Sequence, residues 1–308
     1  MRLSLFDLHC DTAYEMRRRG QGLIQNKLAV SLQNAENFEQ YAQVMALWTD
    51  HNLSDEEGFR ACLAMIENLK RDEALTSRRA RIVKHYTGTD DSATLILSVE
   101  DARILAGELT RVDRLYGLGI RILTPLWKGV TCIGGSHDTD MGLTDFGRAA
   151  IDRATALGMI PDISHASVES ADEILEIARR HQRPVIASHS NSHTVCPVSR
   201  NLRDRQVAEI LATDGIIGLN LHVDFLTQSG RATVADLIPH IEHFLSLGAE
   251  DALCLGCDMD GCTLPPDLSD IAELPRLAEL MQQRNYPDTL IEKIFFENAS
   301  HFATKYIT

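Results

Sequence analysis

Positive charge is in short supply in this 308-residue chain: 30 Lys and Arg stand against 44 Asp and Glu, for a formal net charge of -14. Binding to a phosphate backbone draws on a surplus of cations, so nucleic acid is excluded as a partner and an acidic, solvated surface is expected. No apolar run approaches the ~20 residues of a membrane-spanning helix. Before Asp7 there is one Arg and only a few apolar residues, too short for a signal-peptide core, and no lipid-anchor signal ends the sequence. The expectation is a soluble, unprocessed, cytoplasmic protein with no membrane partner. The seven cysteines are odd in number and scattered, which is not a disulfide framework in a chain this long. Cys254 and Cys257 have redox or zinc-ribbon spacing, but no second such pair exists, and a strand would turn residues three apart to opposite faces. Also missing are a G-x-G-x-x-G nucleotide fingerprint, a G-x-S-x-G nucleophile elbow, an internal repeat and any low-complexity tract.

What is present is a regular alternation. Short apolar segments at 3–8, 42–48, 93–99, 120–126, 159–163, 184–187, 215–221 and 252–256 read as strands. Most of the stretches between them have helical periodicity. The clearest starts at a capping-box pattern, Ser54 to Glu57, and continues with Phe59, Cys62, Leu63, Ile66 and Leu69. Residues 13–37 read as a loop with a helical piece, and 289–306 as closing helices. Eight strands alternating with helices indicate an α/β fold, a (β/α)8 TIM barrel, with residues 1–308 as a single domain.

The polar residues fall at the ends of these strands. His9 and Asp11 close the first, and residues two apart in a strand share a side. Glu100 follows the third strand, His165 the fifth, His189 the sixth, His222 the seventh and Asp258 the eighth. In a barrel these ends meet at one mouth. Three histidines and at least two carboxylates exceed the usual need of one tetrahedral zinc, so two metals about 3.5–4 Å apart use the set more naturally. Glu100 is the candidate bridge, the attacking group is a metal-bridged hydroxide, and Asp258 is the residue to carry its proton. Cys10 would face away from the site. His51, His85, His181, His193, His240, His243 and His301 lie elsewhere and read as surface or structural residues; His137, in the glycine-rich stretch 129–142, is open.

Four stretches carry a resemblance: Asp7, His9 and Asp11; Gly142-Leu143-Thr144 with Phe146-Gly147 leading to Asp162-Ile163-Ser164-His165; Pro184 to Asn201; and Gly256 to Gly261. In these the sequence resembles the renal, or membrane, dipeptidase family of binuclear zinc peptidases. The resemblance implies that His9, Asp11 and Glu100 hold one Zn2+, that Glu100, His165 and His189 hold the other, and that Arg200 grips the C-terminal carboxylate of a dipeptide. It implies Asp258 as acid and base, although other divalent metals could serve in place of zinc. Two positions depart from the family: Trp127 stands where a histidine usually stabilises the oxyanion, and His222 where relatives often have a tyrosine near the substrate carboxylate. Either His137 or His222 supplies the missing donor, or the substrate differs. The expected activity is hydrolysis of L,L- and L,D-dipeptides. The alternatives are hydrolysis of another carboxylate-bearing amide, such as an N-acyl amino acid or a lactam, and a metal-binding relative that has lost catalysis. Barrels of this size often dimerise, so a homodimer is compatible with the sequence.

Overall fold

The computed structural model describes residues 2–77, 79–89 and 92–308. Its strands are β1 (Leu5–Cys10), β2 (Tyr41–Leu47), β3 (Ala80–Ile82), β4 (Ala93–Glu100), β5 (Ile120–Thr124), β6 (Ile160–Pro161), β7 (Ile217–Leu219) and β8 (Leu253–Leu255). All pairings are parallel, in the order β6-β5-β4-β2-β1-β8-β7, with β3 paired to the start of β4. β1, β2 and β4 are buried along their whole lengths, as expected of parallel strands covered on both faces.

The ring closes through residues 184–187, the expected sixth strand, in a reduced form. Asp162 bridges Ile186 on one side and Ala187 bridges Ile217 on the other, so the segment joins β6 to β7 without forming a ladder. The chain turns inward just after it: a Cβ on Gly218 or on Gly256 would collide with the carbonyl of Ser188. The architecture is therefore a parallel barrel of the TIM type, curled and closed by single bridges. β3 was not expected, because a three-residue strand beside a polar stretch leaves too little periodicity to read. Residues 12–19 form a helix that begins directly after Asp11.

Alternation along the strands divides the core in two. Phe6, Leu8, Ala42, Val44, Ile96, Ile122, Ile160 and Ile186 fill the barrel, and Ala299, Phe302 and Ala303 of the last helix, Asn298–Tyr306, pack against them. Residues of opposite parity, among them Leu5, Met45, Leu47, Leu95, Leu97 and Val99, face the surrounding helices. Each such side chain contributes about 1.5–3 kcal/mol by leaving water. The helices start on side-chain caps. Ser54 Oγ accepts from the N–H of Glu57, whose carboxylate accepts from the N–H of Ser54 in return, and Thr144 and Ser167 cap the helices Asp145–Leu157 and Val168–Arg180. All seven cysteines are free. Among the described residues no helix is long and apolar enough to cross a membrane.

Candidate metal centre

Strand alternation is not what brings His9 and Asp11 together. The register of β1 shifts between Asp7 and Cys10, and Asp11 has left the strand, with φ -95° and ψ 15°, to open the next helix. Hydrogen bonds to the far side of the ring set this turn: Asp7 Oδ1 accepts from Cys257 N at 2.8 Å, His9 O accepts from Asp258 N at 3.1 Å, and Met259 O accepts from Asp11 N at 2.9 Å. The result is the expected pair by a different route. His9 Nε2 lies 3.5 Å from Asp11 Oδ2 and 3.5 Å from Glu100 Oε2.

Glu100 also faces a second set. Its Oε1 lies 3.0 Å from His165 Nε2 and 3.5 Å from His189 Nε2, and those two nitrogens are 2.9 Å apart. Their protonation follows from their other partners. The carbonyl of Trp127 can only accept, so His165 Nδ1, 3.0 Å away, carries the hydrogen. Ser188 Oγ gives its one hydrogen to the Asp162 carboxylate at 2.5 Å, so His189 Nδ1, 2.6 Å from the same oxygen, donates to it. Both Nε2 atoms are thus lone-pair acceptors converging with a carboxyl oxygen of Glu100. Burial lowers the pKa of both rings well below the usual histidine value, with Arg200 and neighbouring histidines adding to the effect. His9 Nε2 and Asp11 Oδ1 are buried without any hydrogen-bond partner. Such donor sets fit divalent cations. The structure groups His9 with Asp11 and Glu100, Glu100 with His165 and His189, and additionally His9 with His189 and Asp258, as sets able to hold an ion.

Burial lifts Glu100 to about 8, with Asp11 and Asp258 adding to the rise and His9 opposing it. For His9 burial works against the charged form, but Glu100 and Asp11 beside it outweigh burial and raise its pKa well above the usual value.

The comparisons with known proteins decide the family. The model of the membrane dipeptidase family, peptidase family M19, matches residues 1–304. The chain belongs to this family. An uncharacterised Klebsiella pneumoniae protein encoded in the 5′ region of pqqA is 32% identical over 221 residues, 68% of this chain and 80% of that protein. The crystal structure of dipeptidase AC, an M19 metallopeptidase, superposes with a TM-score of 0.92 at 26% identity over 99% of both chains. A metallopeptidase from Rhodobacter sphaeroides, solved with a phosphinate mimic of the dipeptide L-Ala-D-Ala, has a TM-score of 0.90 at 25% identity over 99% of this chain and 100% of its own.

The remaining residues named from the sequence surround this dipeptidase-family centre. Arg200 is 4% exposed. Its Nη1 donates to Ser190 Oγ at 2.8 Å and its Nη2 to the carbonyl of His189 at 2.9 Å, which leaves Nε buried without a partner. Burial lowers its pKa to about 10 against the pull of Asp258, Glu100 and Asp162, so it is cationic at neutral pH. Asp258, at φ 58°, accepts from Asn220 Nδ2 at 3.0 Å, and burial raises it to about 7. Gly261 follows because a Cβ there would overlap Asp11 Oδ2 and Asp258 Oδ1.

A cavity of about 460 Å³ opens above the cluster, lined by Trp127, His137, His222 and Phe225 among others. His222 belongs to no ligand set; its Nδ1 accepts from Asp224 N, so the hydrogen sits on Nε2. His137 has Nδ1 3.0 Å from Ser199 Oγ and its ring centroid 5.9 Å from that of His165. His51, read as a surface or structural residue, is partly exposed and props the site from outside the ligand sets. Its ring lies 4.5 Å from that of Trp127 and its Nε2 is 2.5 Å from the buried Asp101. His240 is structural as expected, held between Ser192 N and the carbonyl of Leu226. Supporting roles missed from sequence belong to Asp162, Ser188 and Asn220. Only Asp162 and Ser188 lay inside a recognised motif, and nothing there separated them from their neighbours.

Proposed function

We propose that this protein is a divalent-metal-dependent dipeptidase using two zinc ions. His9, Asp11 and Glu100 would hold one, and Glu100, His165 and His189 the other, with Glu100 shared. Metal in this position supplies Lewis-acid polarisation of an amide carbonyl and a lowered pKa for water. Everything else falls to the protein. Arg200 orients the substrate by pairing its buried guanidinium with the C-terminal carboxylate, and its unpartnered Nε is the free donor for that purpose. Asp258, with a pKa near the working pH, accepts a proton from the attacking water and returns it to the leaving amine. Asn220 holds its carboxylate in place. Trp127 cannot act as an imidazole donor, so the N–H of His222 or His137 at the rim takes the oxyanion.

The observation that carries the reading is the meeting of two acceptor sets on one carboxylate, Glu100, beside a buried arginine with a free N–H. Acceptance of a D-residue at the C-terminal position is supported by the relative solved with a mimic of L-Ala-D-Ala. The test is turnover of L,L- and L,D-dipeptides, their C-terminal amides and N-acyl amino acids by zinc-loaded protein. Free dipeptides should be cleaved at least ~10-fold more efficiently than the amides, since a charge-assisted hydrogen bond is lost. Preference for N-acyl amino acids would move the assignment to that class, and no cleavage of any dipeptide would overturn it.

A further inference from the structure

The cavity has two chemically different walls. On one stand His222 and Phe225, and the buried Arg200, held by His189 and Ser190 just after the reduced sixth strand, has its guanidinium 5.6 Å from the ring of Phe225. The other wall stands at the ends of β2 and β5, which flank β4 and its Glu100. In the ring order β2 lies across the mouth from the 184–187 segment that leads to Arg200, and β5 lies two places from that segment. The second wall is aromatic. Trp48 and Trp127 meet edge to face at 5.1 Å, and Tyr14 meets Trp48 at 4.8 Å and 87°. All three line the cavity.

This wall is held from behind. His51 lies against Trp127 and is fixed by Asp101, which Arg103 also grips at 3.1 Å. Trp127 is tied through its carbonyl to His165. The wall also has little charge to spend. Of its acidic neighbours, Glu15 is paired with Arg18 at 2.7 Å and Arg19 at 2.5 Å and Asp50 accepts from the hydroxyl of Tyr14 at 3.4 Å, and Lys128 lines the same cavity. A cationic side chain would find the Glu15 carboxylate already neutralised and the like charge of Lys128 nearby.

A dipeptide with its carboxylate on Arg200 and its amide over Glu100 must send its N-terminal side chain toward Tyr14, Trp48 and Trp127. Such rings accept a further aromatic edge or face and bury it. We infer that the enzyme selects dipeptides whose N-terminal residue carries a large uncharged, aromatic side chain, with Trp48 and Trp127 setting that preference. The inference rests on the dipeptidase reading and adds the substrate class to it.

The experiment compares kcat/KM for Phe-Ala, Lys-Ala and Gly-Ala on zinc-loaded wild type, Trp48→Ala and Trp48→Phe. Wild type should favour Phe-Ala over Gly-Ala by roughly 10-fold or more, the value of burying an aromatic side chain, and should disfavour Lys-Ala relative to Phe-Ala. Trp48→Ala should collapse the Phe-Ala to Gly-Ala ratio, and Trp48→Phe should keep most of it. Equal turnover of Phe-Ala and Gly-Ala by wild type overturns the inference while leaving the dipeptidase reading standing. So does an unchanged ratio in Trp48→Ala. If that variant does not fold, the wild-type ratio alone decides. Failure to cleave any dipeptide overturns both.

Discussion

The main-chain carbonyl of Trp127 holds Nδ1 of His165 at 3.0 Å. One residue thereby serves two ends: its backbone fixes the tautomer of a candidate metal ligand, and its indole walls the cavity. Orientation of a ligating histidine through its second nitrogen is a common source of metal affinity, and here it does not depend on the side chain. Trp127→Ala should therefore keep the wild-type metal content per chain while lowering kcat/KM for an aromatic dipeptide by about 10-fold or more. Loss of metal in this variant, measured by elemental analysis, would contradict the division of labour.

Gly261 should be as sensitive as any ligand although it contributes no side chain. A methyl group there would push against Asp11 Oδ2 and Asp258 Oδ1 together. Displacement of reacting groups by about 1 Å costs roughly 100-fold in turnover. Gly261→Ala is expected to lose activity on that scale and to bind metal more weakly, with an unchanged circular dichroism spectrum. Near-wild-type turnover would show that the two carboxylates have room to move.

Metal uptake should release protons. In the metal-free protein burial raises Glu100 to about 8, and Glu100 and Asp11 raise His9 well above its usual value, so at pH 7 the Glu100–His9 pair holds a proton that an ion must displace. A divalent ion requires carboxylate and neutral imidazole. Protons thus compete with metal below about pH 8, and apparent affinity falls as pH falls. Calorimetric titrations with zinc in buffers of different ionisation enthalpy should report net proton release at pH 7, and affinity should rise from pH 6 to 8. Uptake without proton release would mean that neither group is a ligand.

The sequence disclosed the barrel and most of the centre because both rest on short-range regularities. Apolar runs fully buried in β1, β2 and β4 are visible as such, and the polar residue after each run is where a barrel mouth must be. His9 and Asp11 were paired for the wrong reason, since the irregular end of β1 and the start of a helix set their geometry rather than strand alternation. Residues acting across the ring were not legible. Asp162 accepts from Thr124, Ser164 and Ser188, which lie 38, 2 and 26 residues away, and no local pattern announces such a node. The aromatic wall was hidden likewise: Tyr14, Trp48 and Trp127 meet only because helix 12–19 starts, and β2 and β5 end, at the same rim.

The central claim is that Glu100 joins two metal sites, and metal content per chain tests it most directly. Wild-type protein and Glu100→Gln, both purified without chelators, should be compared by elemental analysis. The account predicts two divalent ions in the wild type and one or none in the variant. One ion or none in the wild type, unchanged by the substitution, would contradict it.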